Sequence, residues 1–190
     1  MFSQGDHANK LYIVCSGKIK IYKNLMEGKE QILYILSEGD FIGAFNLLKA
    51  DEFDFSAMAL ENTQISTLEK SAFDEIMLRN PEITLKIFEK AYERIIKAEN
   101  LVERLSSSNP DAKVIGLLID LASDFGSPSD DGGGVILDLT ISREEMGSYA
   151  GIARETMSRK LQLFDEMGLI KLIGAKRILI YDLNELKAMI

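Results

Sequence analysis

Over residues 2–70 of this 190-residue chain the apolar residues tend to alternate, and at Ser71 the pattern changes to a helical spacing of three or four. That change decides which segments can bury one face as strands and which as helices. Strand side chains alternate between faces, whereas helical ones return after about 3.6 residues. In "KLYIVCSGKIKIYKN" the pattern breaks at Ser16-Gly17 and resumes with Ile19 and Ile21 against Lys18, Lys20 and Lys23, as in a hairpin. "GKEQILYILSEGDFIGAF" repeats it with Gly28, Gly39 and Gly43 at turns, and "FSAMALENTQISTLEKSAF" adds two short strands. Strands at this spacing predict a small antiparallel β-roll in a domain over 1–80.

"SAFDEIMLRN" reads as a short helix capped by Ser71, and Pro81 opens a long one. Along it Phe88, Ala91, Ile95, Ala98, Val102 and Leu105 are spaced 3, 4, 3, 4, 3, a heptad seam. Leu85, Tyr92, Ile96 and Leu101 make a second stripe beside it. Two readings stand: the seam meets a second copy of the chain, or the whole wide stripe is buried within one chain. Residues 81–108 are thus a candidate dimerisation helix and hinge, the hinge lying in the polar "SSSNPD" (106–111), where Asn109-Pro110 can cap and start the next helix.

The remainder, 109–190, opens with the helix "DAKVIGLLIDLASDFG" and the loop "GSPSDDGGG". Gly132–Gly134 lack the Gly-Lys-Ser/Thr of a phosphate loop, and Asp130-Asp131 lack calcium-loop spacing, so a solvated turn is expected. After the strand "VILDL", Ser142 caps a helix whose first turn carries Glu144 and Glu145, and Gly151 makes a tight turn. A second helix follows over 153–167, ended by Gly168. "LIKLIGAKRILIYDL" is a two-stranded wing around Gly174–Lys176, and "NELKAMI" is a closing helix. Two helices joined by a tight turn can lay the second in the major groove of DNA, its N-terminal residues on base edges. Glu155, Ser158 and Arg159 share a face of that helix while Met157, Leu161 and Phe164 point inward. An arginine can grip guanine and a glutamate can accept from cytosine. A contact between Glu155 and Arg159, four residues apart, is expected to hold the guanidinium. Lys171, Lys176 and Arg177 in the wing are candidates for phosphate contacts. The competing reading is an effector-binding sensor module whose winged helix mediates protein contacts, its charges merely solvated.

Charge distribution bears on this choice. The net charge of −8 argues against indiscriminate nucleic-acid binding, yet residues 1–140 carry 14 basic and 23 acidic side chains while 154–177 carry 6 and 3. Phosphate binding needs a local positive face, not a basic total. One cysteine and one histidine exclude a disulfide framework and a four-ligand zinc site, and fit a cytoplasmic protein. No apolar run reaches membrane-spanning length, and no nucleophile–base pair or metal-ligand set points to an enzyme or a cofactor.

The chain resembles the Crp/Fnr family of bacterial transcription factors, named for the cyclic-AMP receptor protein and the fumarate-nitrate reduction regulator. The resemblance rests on "FSQGDHANKLYIVCSGKIKIY", "LSEGDFIGAFNLL" and, most specifically, "LTISREEMGSYAGIARETMSRKLQLFDEMGLI". It implies an α+β fold: an N-terminal antiparallel β-roll of the cyclic-nucleotide-binding kind, a long dimerisation helix and a C-terminal winged helix-turn-helix. It implies a homodimer on a pseudo-palindromic operator with TGA-like half-sites, and contact with RNA polymerase. Arg154, Glu155 and Arg159 match the contact residues of the cyclic-AMP branch; Glu155, Ser158 and Arg159 match those of the oxygen-responsive branch; Lys160, Lys176 and Arg177 complete the expected DNA-binding set. The resemblance breaks where the cyclic-AMP branch binds its ligand. Ala44 stands in place of a glutamate, Phe55 in place of an arginine before Ser56-Ala57, and Ala98 and Glu99 in place of the helix hydroxyls. An apolar wall and a carboxylate do not suit a cyclic nucleotide. An iron–sulfur cluster usually needs four thiolates, and Cys15 is alone, read as a half-buried structural thiol or else a redox-sensing one. The family also implies residues upstream of Phe2, where further cysteines could lie.

Overall fold

The computed structural model describes residues 1–49, 51–129 and 133–189, the side chain of Glu27 excepted, so the expectations at Asp130, Asp131 and Gly132 lie outside the described residues. The chain divides into two units, Met1–Asn100 and Leu101–Ile190. In the first, β1 (Lys10–Ser16) lies between β4 (Phe41–Ile42) and β6 (Gln64–Glu69), and β2 (Ile19–Asn24) lies between β3 (Glu30–Leu36) and β5 (Ser56–Ala59). Every pairing is antiparallel.

β1 and β2 therefore do not form the expected hairpin; the chain passes from one sheet to the other at Gly17. This glycine has φ +86°, and a Cβ on it would stand 2.5 Å from Thr63 Oγ1, so the close approach of two crossing segments leaves room only for hydrogen. Both sheets feed one core, with Val14 and Ile42 from the first, Ile19, Ile21, Leu36 and Ala57 from the second, and Phe2 and Phe53 from the flanking chain. The alternation along β2 holds for its isoleucines but misplaces Lys20. This lysine is 4% exposed, its ammonium 2.9 Å from Glu30 Oε2 and 5.1 Å from the Tyr22 ring centre. Pairing is what makes burial of that charge tolerable.

Helix α1 (Ala44–Lys49) interrupts a stretch read as strands; six residues are too few to display a helical period. Helix α2 (Lys70–Arg79) begins at Lys70 with Glu69 at the N-cap position, so Ser71 lies inside the helix and does not cap it. A second cluster, Leu11, Ala44, Leu47, Phe73 and Ile87, joins the roll to α1, α2 and α3 (Pro81–Ser106). On α3 the inward row is Ile87, Arg94 and Leu101. The seam faces outward: Phe88 is 62%, Ile95 55% and Val102 63% exposed, while Ala91 and Leu105 are half-buried and Ala98 is exposed. Of the second stripe, Leu85, Tyr92 and Ile96 are exposed and only Leu101 is buried, which contradicts burial of the whole stripe within one chain. Cys15 is also exposed, not half-buried, with its Sγ 3.2 Å from Ser66 Oγ.

In the second unit α4 (Pro110–Phe125) starts as the sequence predicts. Pro110 opens the helix, and the Asn109 side chain accepts from the Asp111 amide at 2.9 Å. A four-stranded sheet follows in the order β7 (Gly126–Pro128), β8 (Val135–Asp138), β10 (Arg177–Ile180), β9 (Ile170–Ile173). The expected surface loop thus begins as strand β7, paired to β8 from Gly126 to Pro128. Helices α5 (Arg143–Ala150), α6 (Arg154–Glu166) and α7 (Leu183–Lys187) complete the unit, and Leu117, Leu118, Met146, Met157, Leu161, Phe164, Ile178 and Leu186 are buried within it.

The α5–α6 turn depends on Gly151, held in the left-handed conformation at φ 68°, ψ 40°. An added Cβ would also collide with the Leu105 side chain, which can yield, whereas the backbone cannot. Gly151→Ala is expected to destabilise the second unit by about 1–2 kcal/mol and Gly151→Asn by less, measured by urea unfolding followed by circular dichroism.

Candidate nucleic-acid interface

Helix α6 is held by one face and free on the other. Met157, Leu161 and Phe164 are buried, while Arg154, Glu155, Ser158 and Arg159 lie exposed along the N-terminal half. Among the described residues none of these four side chains has a hydrogen bond or ion pair. The expected Glu155–Arg159 contact is therefore not made. An exposed pair at this spacing is worth only a few tenths of a kcal/mol, too little to immobilise two long side chains. Ala153 at the N-cap provides no side-chain acceptor, so the first-turn amides of α6 stay open to an external one.

The scaffold beneath this face is fixed by local bonds. Ser142 Oγ accepts from the Glu145 amide at 3.2 Å while Glu145 Oε2 accepts from the Ser142 amide at 2.9 Å, a reciprocal cap on α5. The Ile152 amide donates to Gly147 O at 3.0 Å, closing the turn into α6. Lys160, expected to contact DNA, has an internal partner. It is half-buried and its ammonium lies 2.7 Å from Asp111 Oδ1, which ties α6 to the first turn of α4. In the wing, Lys176 is exposed at the turn between β9 and β10, but Arg177 is committed to Asp138, Nε to Oδ1 at 2.6 Å, its register partner across the β10–β8 ladder. Lys171 lies 3.6 Å from Asp165. Among the described residues the cations left unpaired on this face are Arg154, Arg159 and Lys176.

Sequence reasoning missed two arginines on α3. Arg104, 6% exposed, forms an ion pair with Asp120 of α4, donates to Tyr149 O of α5 at 3.5 Å, and places its guanidinium 5.0 Å from the Tyr149 ring centre. Burial raises the Tyr149 phenol well above its ordinary range, with Arg104 opposing. Arg94 lines a cavity of about 600 Å³ between the roll and α3 in the first unit. The available signal was spacing: Ile87, Arg94 and Leu101 form a row with a seven-residue repeat, and a charge inside such a row needs a local reason.

That cavity occupies the place where a nucleotide would be expected, with different chemistry. Ala44 is fully buried and lends no side chain to it. Phe55 joins Phe2 and Phe53 in an aromatic cluster, ring centres 5.9 and 5.7 Å away. Ala98 lines the wall, but Glu99 does not; the carboxylates at the cavity are Asp51, Glu52 and Asp54, together with the cations Lys49 and Arg94. Among the described residues no group of three or more potential metal ligands occurs, and no helix is long and apolar enough to cross a membrane.

Comparison with known proteins finds two family descriptions in the chain: "Cyclic nucleotide-binding domain" over residues 1–80 and "Crp-like helix-turn-helix domain" over residues 112–189. Electron transport regulator A of Shewanella oneidensis is 31% identical across 98% of this chain and 73% of its own. The CRP-like cAMP-activated global transcriptional regulator of Mycobacterium tuberculosis is 27% identical across 98% of this chain and 82% of its own. The solved structure of FixK2 from Bradyrhizobium japonicum, 22% identical, shares the fold with a TM-score of 0.85 over 99% of this chain and 90% of that one.

The Arg104–Asp120 pair yields a stability test. Arg104→Met leaves Asp120 without its partner and is expected to cost about 3 kcal/mol, the low end for a buried pair because Asp120 keeps some access to water. Adding Asp120→Leu should recover part of the loss, measured as the coupling energy of a double-mutant cycle in urea unfolding.

Proposed function

The chain belongs to the Crp/Fnr family of bacterial transcription regulators, and on that premise we propose that it acts as a homodimer whose helix α6 reads a TGA-like sequence in each half of a pseudo-palindromic operator, without responding to cyclic AMP. The observation that carries the reading is the solvent-facing set Arg154, Glu155, Ser158 and Arg159, unpaired on a helix whose opposite side is locked into the core. Side chains without intramolecular partners break no internal bond when they turn to base edges and give up only rotamer freedom and hydration. Arginine can take guanine O6 and N7 together and glutamate can accept from cytosine N4. Lys176 at the wing tip suits a phosphate; Arg177 reaches one only by releasing Asp138.

The exposed seam of Phe88, Ile95 and Val102 supports the dimer, because an apolar row at heptad spacing is buried most simply against its own copy. Two recognition helices would then enter half-sites roughly 34–36 Å apart. RNA polymerase is the further partner this reading implies. The loss of cyclic-AMP response rests on Ala44 and Phe55, which supply neither a ribose acceptor nor a phosphate cation.

Arg159→Ala should lower affinity for a TGA-bearing palindrome by about 1–3 kcal/mol and for scrambled DNA by much less. Fluorescence anisotropy on both duplexes at one salt concentration measures the ratio; equal proportional losses would make Arg159 a phosphate contact. Lys176→Ala should weaken both duplexes alike and reduce the salt dependence. Ile95→Asp should convert the dimer to monomer in sedimentation, and a wild-type monomer at micromolar concentration would refute the seam. Calorimetry that detected cyclic-AMP binding would overturn the remaining part.

A further inference from the structure

The cavity between the roll and α3 holds two polar groups with donor capacity that the protein leaves unused among the described residues. Arg94 donates from Nη2 to Phe41 O, and its guanidinium lies 4.9 Å from the Phe41 ring centre and 5.8 Å from that of Tyr34. Among the described residues no carboxylate lies within ion-pair distance of it. The neighbouring acids are engaged elsewhere: Asp54 with Lys23 at 2.9 Å, Asp40 with Lys90 at 3.7 Å and with the Ser37 amide at 3.0 Å. Tyr34 lines the same cavity, and its hydroxyl has no hydrogen bond among the described residues. Burial raises the phenol's pKa, against the pull of Arg94, so it stays protonated and acts as a donor.

We propose that this cavity binds an organic monocarboxylate with an apolar body, the carboxylate seated between the Arg94 guanidinium and the Tyr34 hydroxyl. A half-buried cation with one bond to a backbone carbonyl, next to a free donor, is a receptor for a planar anion that accepts from both. The walls fit the rest of the molecule: Phe45, Phe55, Ala91, Ile95 and Ala98 are apolar, and about 600 Å³ suits a small ligand body. Beyond Arg94 the cavity carries Asp51, Glu52 and Asp54 against Lys49, an acidic excess that disfavours further negative charge and separates a monocarboxylate from a phosphate-bearing ligand. The receptor joins Tyr34 of β3 in the roll to Arg94 of α3, while position 55 of the roll is aromatic. The inference does not depend on DNA binding.

The test uses the full chain without DNA. Binding of hydrocinnamate, octanoate, hydrocinnamamide, 3-phenylpropylamine and cyclic AMP is measured by calorimetry and ligand-observed NMR at millimolar concentration. The two carboxylates should bind, the amide at least roughly tenfold more weakly than its acid, and the amine and the nucleotide more weakly still. Arg94→Gln should abolish the preference for acid over amide, and Tyr34→Phe should weaken the acid several-fold while leaving the amide less affected. The comparison on wild type stands alone if either variant fails to fold. The proposal is overturned if neither carboxylate binds, if amide, amine or nucleotide matches the acid, or if folded Arg94→Gln keeps the preference.

Discussion

One helix has to meet water, a β-roll and a buried ion pair with a single periodicity. Along α3 the inward row Ile87, Arg94, Leu101 and the outward row Phe88, Ile95, Val102 share a seven-residue repeat and differ by one position, or about 100° of rotation. The register of α3 against the roll therefore decides two things at once. It selects which apolar side chains remain at the surface, and it aims Arg94 at the cavity that Ile95 also edges. The last turn of the helix belongs to the second unit, where Arg104 is enclosed by α4 and α5. A slip of one residue would expose Ile87, bury Phe88 in its place and carry Arg94 out of its aromatic surroundings, so the helix has little freedom to compromise.

What was legible in the sequence follows contact distance. The helix pair was readable almost to the residue because its determinants are local. Ser142 and Glu145 cap each other three positions apart, Gly151 supplies the left-handed turn, and Met157, Leu161 and Phe164 recur on one face. The strands of the roll were also readable as strands. Their partners were not, because Tyr12 lies opposite Ile42 on one side and Thr67 on the other, and no short-range pattern records such pairings. The same limit governs the site. Lys160 and Arg177 look like free cations until Asp111 and Asp138, remote in the chain, are folded beside them. Arg94 and Arg104 read as solvated charges on an amphipathic helix, since the partners that hold them, Phe41, Asp120 and Tyr149, are remote in the chain.

The first unit keeps the architecture of a nucleotide-binding roll while its cavity has changed chemistry. Phe55 stacks into a group with Phe2 and Phe53, whose rings lie 3.7 Å apart and nearly parallel. Aromatic packing of this kind adds stability beyond area alone. Of the three rings only Phe55 lines the cavity, giving it an apolar wall beside Tyr34 of the roll and Arg94 of α3, the element that also bears the exposed seam.

On the function proposed above, the internal pairing of Lys160 with Asp111 and of Arg177 with Asp138 bears on how the molecule searches a chromosome. Random duplex is held almost entirely by charge, and a genome presents an immense excess of it over any operator. A reading head with cations already quenched by its own carboxylates, on a chain of net charge −8, is poorly retained by that excess. A larger share of the copies stays free in solution, sampling sites by repeated encounter and not by long excursions along one stretch. On the reading proposed above, fewer copies then suffice to keep an operator occupied, and occupancy follows the free concentration of the regulator closely.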